Sequence, residues 1–437
     1  MNITKQFVKY VSQNIAGMIG ISVYILADTY FIAQAVGSDG ITALNLVLPL
    51  YSLIFAIGAM IGVGSAIRYT VERMQGGKNT EKYFSNALLW ATILGLVFMM
   101  IGGCLPDAIM RLMGGDEKIV ALGSPYTRIV FLFAPFFLWN HICNAFVRND
   151  GSPSIAMAAT LLSSLFNVVG DYVLMFPLGL GMQGAALATA LSPVLGVTIC
   201  CVHFFSKRSS LKLRLQLPEP GLLLYSSQVG VSAFVGEISS GVITFAFNAI
   251  LLRLAGNTGV AAYGVVANTA LVAVAMFNGV SQGSQPLVSE CYGRGEIGNA
   301  KKVLWLGIGT ALALAVFLLL TAVLFAAPIT AAFNREQDPV LAGYAEQGLQ
   351  LYFIGFLFAG INIVGSCMLS AMESVKAAFL VSILRGFVLI VGFAFLLSFL
   401  FGMTGVWLAF PAAEAGTMLV TVWALRALFS SGKRRAA

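Results

Sequence analysis

Charge is what this sequence has least of. Only 10% of its 437 residues are Asp, Glu, Lys or Arg, against 59% hydrophobic, and the mean hydropathy is +0.89. A soluble domain is about a quarter charged, so this deficit excludes a cytosolic enzyme, a disordered chain and a nucleic-acid module. Histidine is almost missing too: His141 and His203 are the only two, and neither has an acid or cysteine at metal-ligand spacing, so no metal site is expected. The six cysteines, Cys104, Cys143, Cys200, Cys201, Cys291 and Cys367, lack the paired loop spacing of a disulfide framework and read as small core residues. No stretch completes a phosphate-binding loop, and no paired His and Asp mark an enzyme. With no cofactor expected, any driving energy must come from an ion gradient, where one charge crossing 100 mV is worth about 2.3 kcal/mol.

What remains is long apolar runs. Residues 151–206 hold a single formal charge, Asp171, and 254–289 hold none. A hydrocarbon core about 30 Å thick takes about 20 apolar residues per helical span, so the first gap contains two spans. The same count along the chain predicts an all-α polytopic membrane protein with 12 transmembrane helices, centred in 13–36, 41–69, 83–104, 120–145, 154–176, 184–205, 223–253, 260–288, 303–326, 343–370, 377–400 and 405–429. With the N-terminus cytoplasmic, 20 of the 25 Lys and Arg fall on the inner side, among them Arg148, Arg208, Arg385, Lys433, Arg434 and Arg435. Arg111, Lys118, Arg128, Arg253 and Arg335 are left outside. This bias places both termini in the cytoplasm, and the +7 net charge faces anionic lipid rather than nucleic acid. No cleavable signal peptide is expected.

The two halves repeat. Gly37-x-x-Gly40-Ile41 leading to Gly64-Ser65 recurs as Gly256-x-x-Gly259-Val260 leading to Gly283-Ser284, an offset of 219, and Gly181-Met182-x-Gly184 recurs as Gly402-Met403-x-Gly405 at 221. The chain therefore divides into an N-lobe (1–206), a basic cytoplasmic linker (207–221) and a C-lobe (222–437). Each lobe has six helices. An even number of spans per copy makes the repeats parallel, about an axis along the membrane normal, a plan typical of transporters whose lobes rock around a cavity.

Four acids stand well inside spans: Asp28, Asp171, Glu237 and Glu414. An acid at a helix centre costs about 2.5 to 3.5 kcal/mol on insertion scales, so each should face a cavity, find a partner or hold a proton. Asn167 lies four residues before Asp171 on the same helical face. The two present hard oxygen ligands suited to a proton or a small alkali cation, and Thr189 in the next span can add a hydroxyl. Asp28 has only apolar or small neighbours on its own helix and must be met from another. Glu237, beside Ser239 and Ser240, suits a second-lobe substrate or cation site, or helix packing. Glu414, among small residues near Pro411, is read as a structural acid.

In order and spacing these segments resemble the multidrug and toxic compound extrusion (MATE) transporters of bacterial type over nearly the whole chain. The matching stretches are Asp28-Thr29-Tyr30-Phe31-Ile32, Gly62-x-Gly64-Ser65 with Gly76-Gly77, Arg148 to Pro153, Asn167-Val-Val-Gly-Asp171, and Gly184-Ala185-Ala186-x-Ala188-Thr189. In the second half they are Gly283-x-x-Pro286-Leu287-Val288 with Tyr292-Gly293, Gly405-Val406-Trp407 and Ala413-Glu414. The resemblance implies a rocking antiporter of the cell membrane that exports amphipathic, cationic small molecules, drugs and other xenobiotics among them, in exchange for H+ or Na+ and is sufficient as a monomer. It implies a coupling site of Asp28, Asn167, Asp171 and Thr189 with Tyr126 nearby, and likens Glu237 to a seventh-helix glutamate of some branches. Two departures stand out: the first span has no proline, only Gly17 and Gly20, and the tenth span has no acid. Gln282 also stands where some relatives place a glutamate, so coupling is expected in the first lobe. The alternative is a flippase for a lipid-linked or polyprenyl precursor, which would need a basic central cavity.

Overall fold

A computed structural model of the chain describes residues 2–435 apart from Asn79, Arg208, Leu215, Arg335 and Glu336, and excludes the side chains of Ser38 and 431–435. Of the basic residues counted above, Arg208, Arg335 and the side chains of Lys433, Arg434 and Arg435 thus lie outside the described residues. Where no water can satisfy backbone groups, helices are the solution, because each closes its own hydrogen bonds. The described residues form fifteen α-helices and no strands. In the first half these are α1 (Ile3–Ala35), α2 (Ser38–Met74), α3 (Glu81–Cys104), α4 (Pro106–Leu112), α5 (Glu117–Leu132), α6 (Ala134–Asn149), α7 (Pro153–Met175) and α8 (Gly181–Cys201). The second half contains α9 (Pro220–Gly293), α10 (Ile297–Leu324), α11 (Ala326–Phe333), α12 (Pro339–Tyr352), α13 (Phe356–Ala371), α14 (Val375–Ile383) and α15 (Leu389–Arg435).

Nine helical stretches among the described residues are long and apolar enough to cross a membrane, or ten if α5 and α6, bent by 48° at Phe133, form one span. At about 1.5 Å per residue, the 74-residue α9 would run to roughly 110 Å, several times the bilayer core. It does not run straight. Gly256 in α9 (φ 62°) and Gly402 in α15 (φ 56°) leave the helical region and divide their helices.

Those two breaks explain the sequence repeat. Gly256 and Gly402 have first-half counterparts in Gly37 (φ 80°) and Gly181 (φ 50°), so each repeated turn sits in the left-handed region that favours glycine. The next glycine of the second pair lets helices touch: a Cβ on Gly184 would lie 2.8 Å from the Leu174 carbonyl carbon, and one on Gly405 would lie 1.8 Å from the Leu397 carbonyl oxygen.

The chain packs as two compact units: a first unit of Ala16–Ile238, and a second unit of Met1–Ile15 with Ser239–Ala437. The sequence repeat divides the chain at the linker, whereas packing changes hands within α1 and within α9. Again the repeat supplies the reason, since Gly64 lies against the backbone at Ser226 in the first unit, and Gly283 lies against the backbone at Val11 in the second. The first unit's core includes Ile32, Ile54, Phe84 and Phe146, and the second's includes Phe247, Phe277, Phe356 and Trp407.

Candidate functional site

The first unit gathers its polar side chains where α1, α2, α5, α7 and α8 meet. Asp171 and Asn167 are almost fully buried on α7, Thr189 is buried on α8, Tyr126 is buried on α5, and Asp28 reaches them from α1. The Asp28 and Asp171 carboxyl groups lie within hydrogen-bonding reach of each other. Carboxylates are acceptors only, so such a contact exists when one proton, or a cation in its place, lies between them. Each acid also has a buried oxygen, Oδ1, that no donor among the described residues reaches.

Neighbouring groups fix this pair. With its amide turned so that both atoms are satisfied, Asn167 donates to Asp171 Oδ2 at 3.2 Å and accepts from the Thr189 hydroxyl and backbone N–H, both at 3.3 Å. Tyr126 is hydrogen-bonded to Thr189. Two more residues belong here that sequence reasoning missed, Tyr24 and Tyr51, which are hydrogen-bonded to each other. Tyr24 lies four residues before Asp28, the spacing that puts two side chains on one helix face, so the signal for it was present. Tyr51 carried none.

The remaining candidates separate. Glu237, near the end of the first unit's share of α9, is accessible and lies within electrostatic reach of Tyr24, as do Asp28 and Asp171. Gln282 and Glu414 belong to the second unit. Helix α1 continues unbroken through Gly17 and Gly20, and a Cβ on Gly20 would meet Leu161 Cδ2 at 2.7 Å, so that glycine serves the approach of α1 to α7. No group of three or more His, Cys, Asp or Glu able to hold a metal is present among the described residues.

Two buried ion pairs escaped the sequence. In the first unit Asp150, at the end of α6, is fully buried and paired with Arg73. It accepts from His203 Nε2 at 2.9 Å, from the Ser210 backbone N–H at 2.8 Å, and from the Ser210 and Tyr69 hydroxyls. Burial pushes the Asp150 carboxyl up, but the hydrogen bonds from His203 and Ser210 and the charge of Arg73 outweigh it and hold this carboxyl below its usual range. In the second unit Arg385 Nε donates to Glu414 Oε1 at 2.6 Å. Arg385, counted above with the cytoplasmic basic residues, lies in a π-helical segment, 384–388, bonded to a buried acid.

A helical, multi-pass membrane protein with an uncompensated acid pair between its helices is the class these observations define. The MatE family model matches residues 15–173 and 233–396, most of the chain, and the chain belongs to this family of membrane transporters. It is 28% identical over 405 residues to the multidrug export protein MepA of Staphylococcus aureus (strain MSSA476), covering 90% of this chain and 87% of that one. The MepA of Staphylococcus saprophyticus is 27% identical over 391 residues, 88% of this chain and 85% of its own. A solved multidrug resistance MATE family transporter of the MOP superfamily, in an outward-facing conformation, shares the fold with a TM-score of 0.93 at 23% identity, over 99% of this chain and 97% of that one.

Proposed function

We propose that this protein is a twelve-span secondary antiporter of the plasma membrane, with both termini cytoplasmic, that exports amphipathic cationic small molecules in exchange for H+ or Na+. The observation that carries the reading is the Asp28–Asp171 pair: two acids meet inside the first unit, with no basic side chain in contact and an unmet oxygen each among the described residues. Such a site takes up one small cation, and the surrounding Asn167, Thr189 and Tyr126 offer further oxygens to it. Export then follows from linkage. The ion favours one conformation and the substrate the other, each by its difference in affinity for the two. Multidrug export by the MepA relatives supports the substrate class.

A flippase would hold the phosphates of its lipid-linked cargo with basic groups; the acid pair has the opposite sign. The test is efflux of a fluorescent organic cation from proteoliposomes under separately imposed proton and sodium gradients, comparing wild type with Asp171→Asn. Export should follow one gradient and vanish in the folded variant. Wild-type export by D171N would remove the coupling site.

A further inference from the structure

The second unit contains a polar centre that the coupling reading leaves unused. Glu414 on α15 is 2% exposed. Its Oε1 accepts from Arg385 Nε at 2.6 Å, and its Oε2 and main-chain carbonyl accept from Asn362 Nδ2 at 2.7 and 2.8 Å. Asn362 Oδ1 in turn accepts from Thr421 Oγ1 at 2.7 Å. Asn362 and Thr421 are fully buried, while the Arg385 side chain is 25% exposed. The acid, amide and hydroxyl thus match in kind the Asp171, Asn167 and Thr189 of the first unit. One component differs: here the cation is a side chain, delivered from a π-helical segment, a rare irregularity that recurs at functional sites.

We propose that Glu414, Asn362 and Thr421 form a latent site for a small monovalent cation, kept filled by the tethered guanidinium of Arg385. Removing that side chain leaves a buried carboxylate with its amide and hydroxyl companions but no counter-charge, and such a group takes a proton or a metal cation from solution. The opening left by Arg385, the partly exposed member, is the route of entry. Among the described residues, Arg385 and, more remotely, the phenol of Tyr352 are the charged or titratable groups that interact with Glu414, so Glu414 is the group whose occupancy the substitution changes.

The site is separate from the Asp28–Asp171 pair, and its test reads no export. In a D28N/D171N background, which removes the first unit's own cation demand, thermal unfolding of detergent-solubilised protein is followed for Arg385→Met, Arg385→Lys and R385M/E414Q. With R385M, a rise in Tm of about 4 °C on replacing choline by sodium assigns the site to sodium, and a similar rise on lowering pH from 8 to 6 assigns it to the proton. Both responses should be missing in the unsubstituted background, in R385K and in R385M/E414Q. A Tm for R385M indifferent to both ions, or a response that persists in R385M/E414Q, would overturn the proposal. Arg385→Gln, which keeps polarity without charge, answers the same question should R385M not yield folded protein.

Discussion

The two units hold polar centres built from the same kinds of side chain, yet opposite in charge balance. In the first, Asp28 and Asp171 approach each other and the supporting Asn167, Thr189 and Tyr126 are all uncharged. In the second, Glu414 meets Arg385. A buried acid with its own base is complete, and its value is structural; a buried acid pair without one is incomplete until something binds. Asp150 shows that balance rather than location is the criterion, for it lies in the first unit with the acid pair and is matched by Arg73 and His203. On the proposed reading, an uncompensated charge, not a charge as such, is what marks a binding site in this chain.

The largest effect should come from removing an acid on the unbalanced side. Asp28→Asn should reduce gradient-driven efflux from proteoliposomes to that of protein-free vesicles, while the Tm in detergent holds because the asparagine amide can donate to Asp171 in place of the shared proton or cation. Loss of both together would make Asp28 structural and erase the contrast. On the balanced side the signature reverses. Glu414→Gln leaves Arg385 without its counter-charge and should lower stability by about 3 kcal/mol, the low end for breaking a buried pair, because Arg385 retains a quarter of its side-chain exposure. The dependence of residual efflux on the coupling gradient should be unchanged. A shift of that dependence in E414Q would mean that both units couple ions.

How much of this was legible in advance follows from the same contrast. An acid in an apolar span stands out, and Asn167 with Asp171 is a helical spacing, so Asp28, Asn167 and Asp171 could be named from the chain alone, whereas Tyr51, an ordinary aromatic in an apolar helix, could not; that they meet is a tertiary fact. Glycine repeats anticipated the turns at Gly37, Gly181, Gly256 and Gly402, because a positive φ is written in the residue type. The ion pairs were hidden by distance: Arg385 and Glu414 are 29 residues apart, and His203 and Asp150 are 53 apart. Arg385 was further disguised by the rule that reads basic residues as topology signals, which has no means of recognising a base held by a buried acid. The shift of packing within α1 and α9 was equally hidden, since the repeat locates copies and not contacts.

Asp150 gives a smaller and pH-resolved effect. Its folded-state carboxyl is held below the usual range, so it contributes stability that is fully present above the unfolded-state pKa, near 4, and is lost as pH falls through the lower folded value. Asp150→Asn should cost about 2 kcal/mol at pH 7, as expected for losing hydrogen bonds to charged groups. The gap between wild type and variant in thermal unfolding should close as the pH drops below 4. A gap constant with pH would mean that shape, and not charge, holds this junction.

The smallest effect tests whether packing alone tunes the balanced centre. A Cβ on Gly365 of α13 would lie 2.4 Å from Thr421 Cγ2, and Thr421 is the residue whose hydroxyl orients Asn362 toward Glu414. Gly365→Ala gains helix propensity but overpacks this contact, and the overpacking term is the larger. The net cost should be about 1 kcal/mol. If the cost arises from turning Thr421 away, Thr421→Val should add little in the G365A background while costing about 1 kcal/mol on its own, a coupling that thermal unfolding of the four proteins measures. Additive costs would show that α13 and α15 yield elsewhere and that the hydrogen bond from Thr421 survives. The glycine would then set helix spacing only, and the charge balance at Glu414 would rest on Arg385 and Asn362 without help from packing.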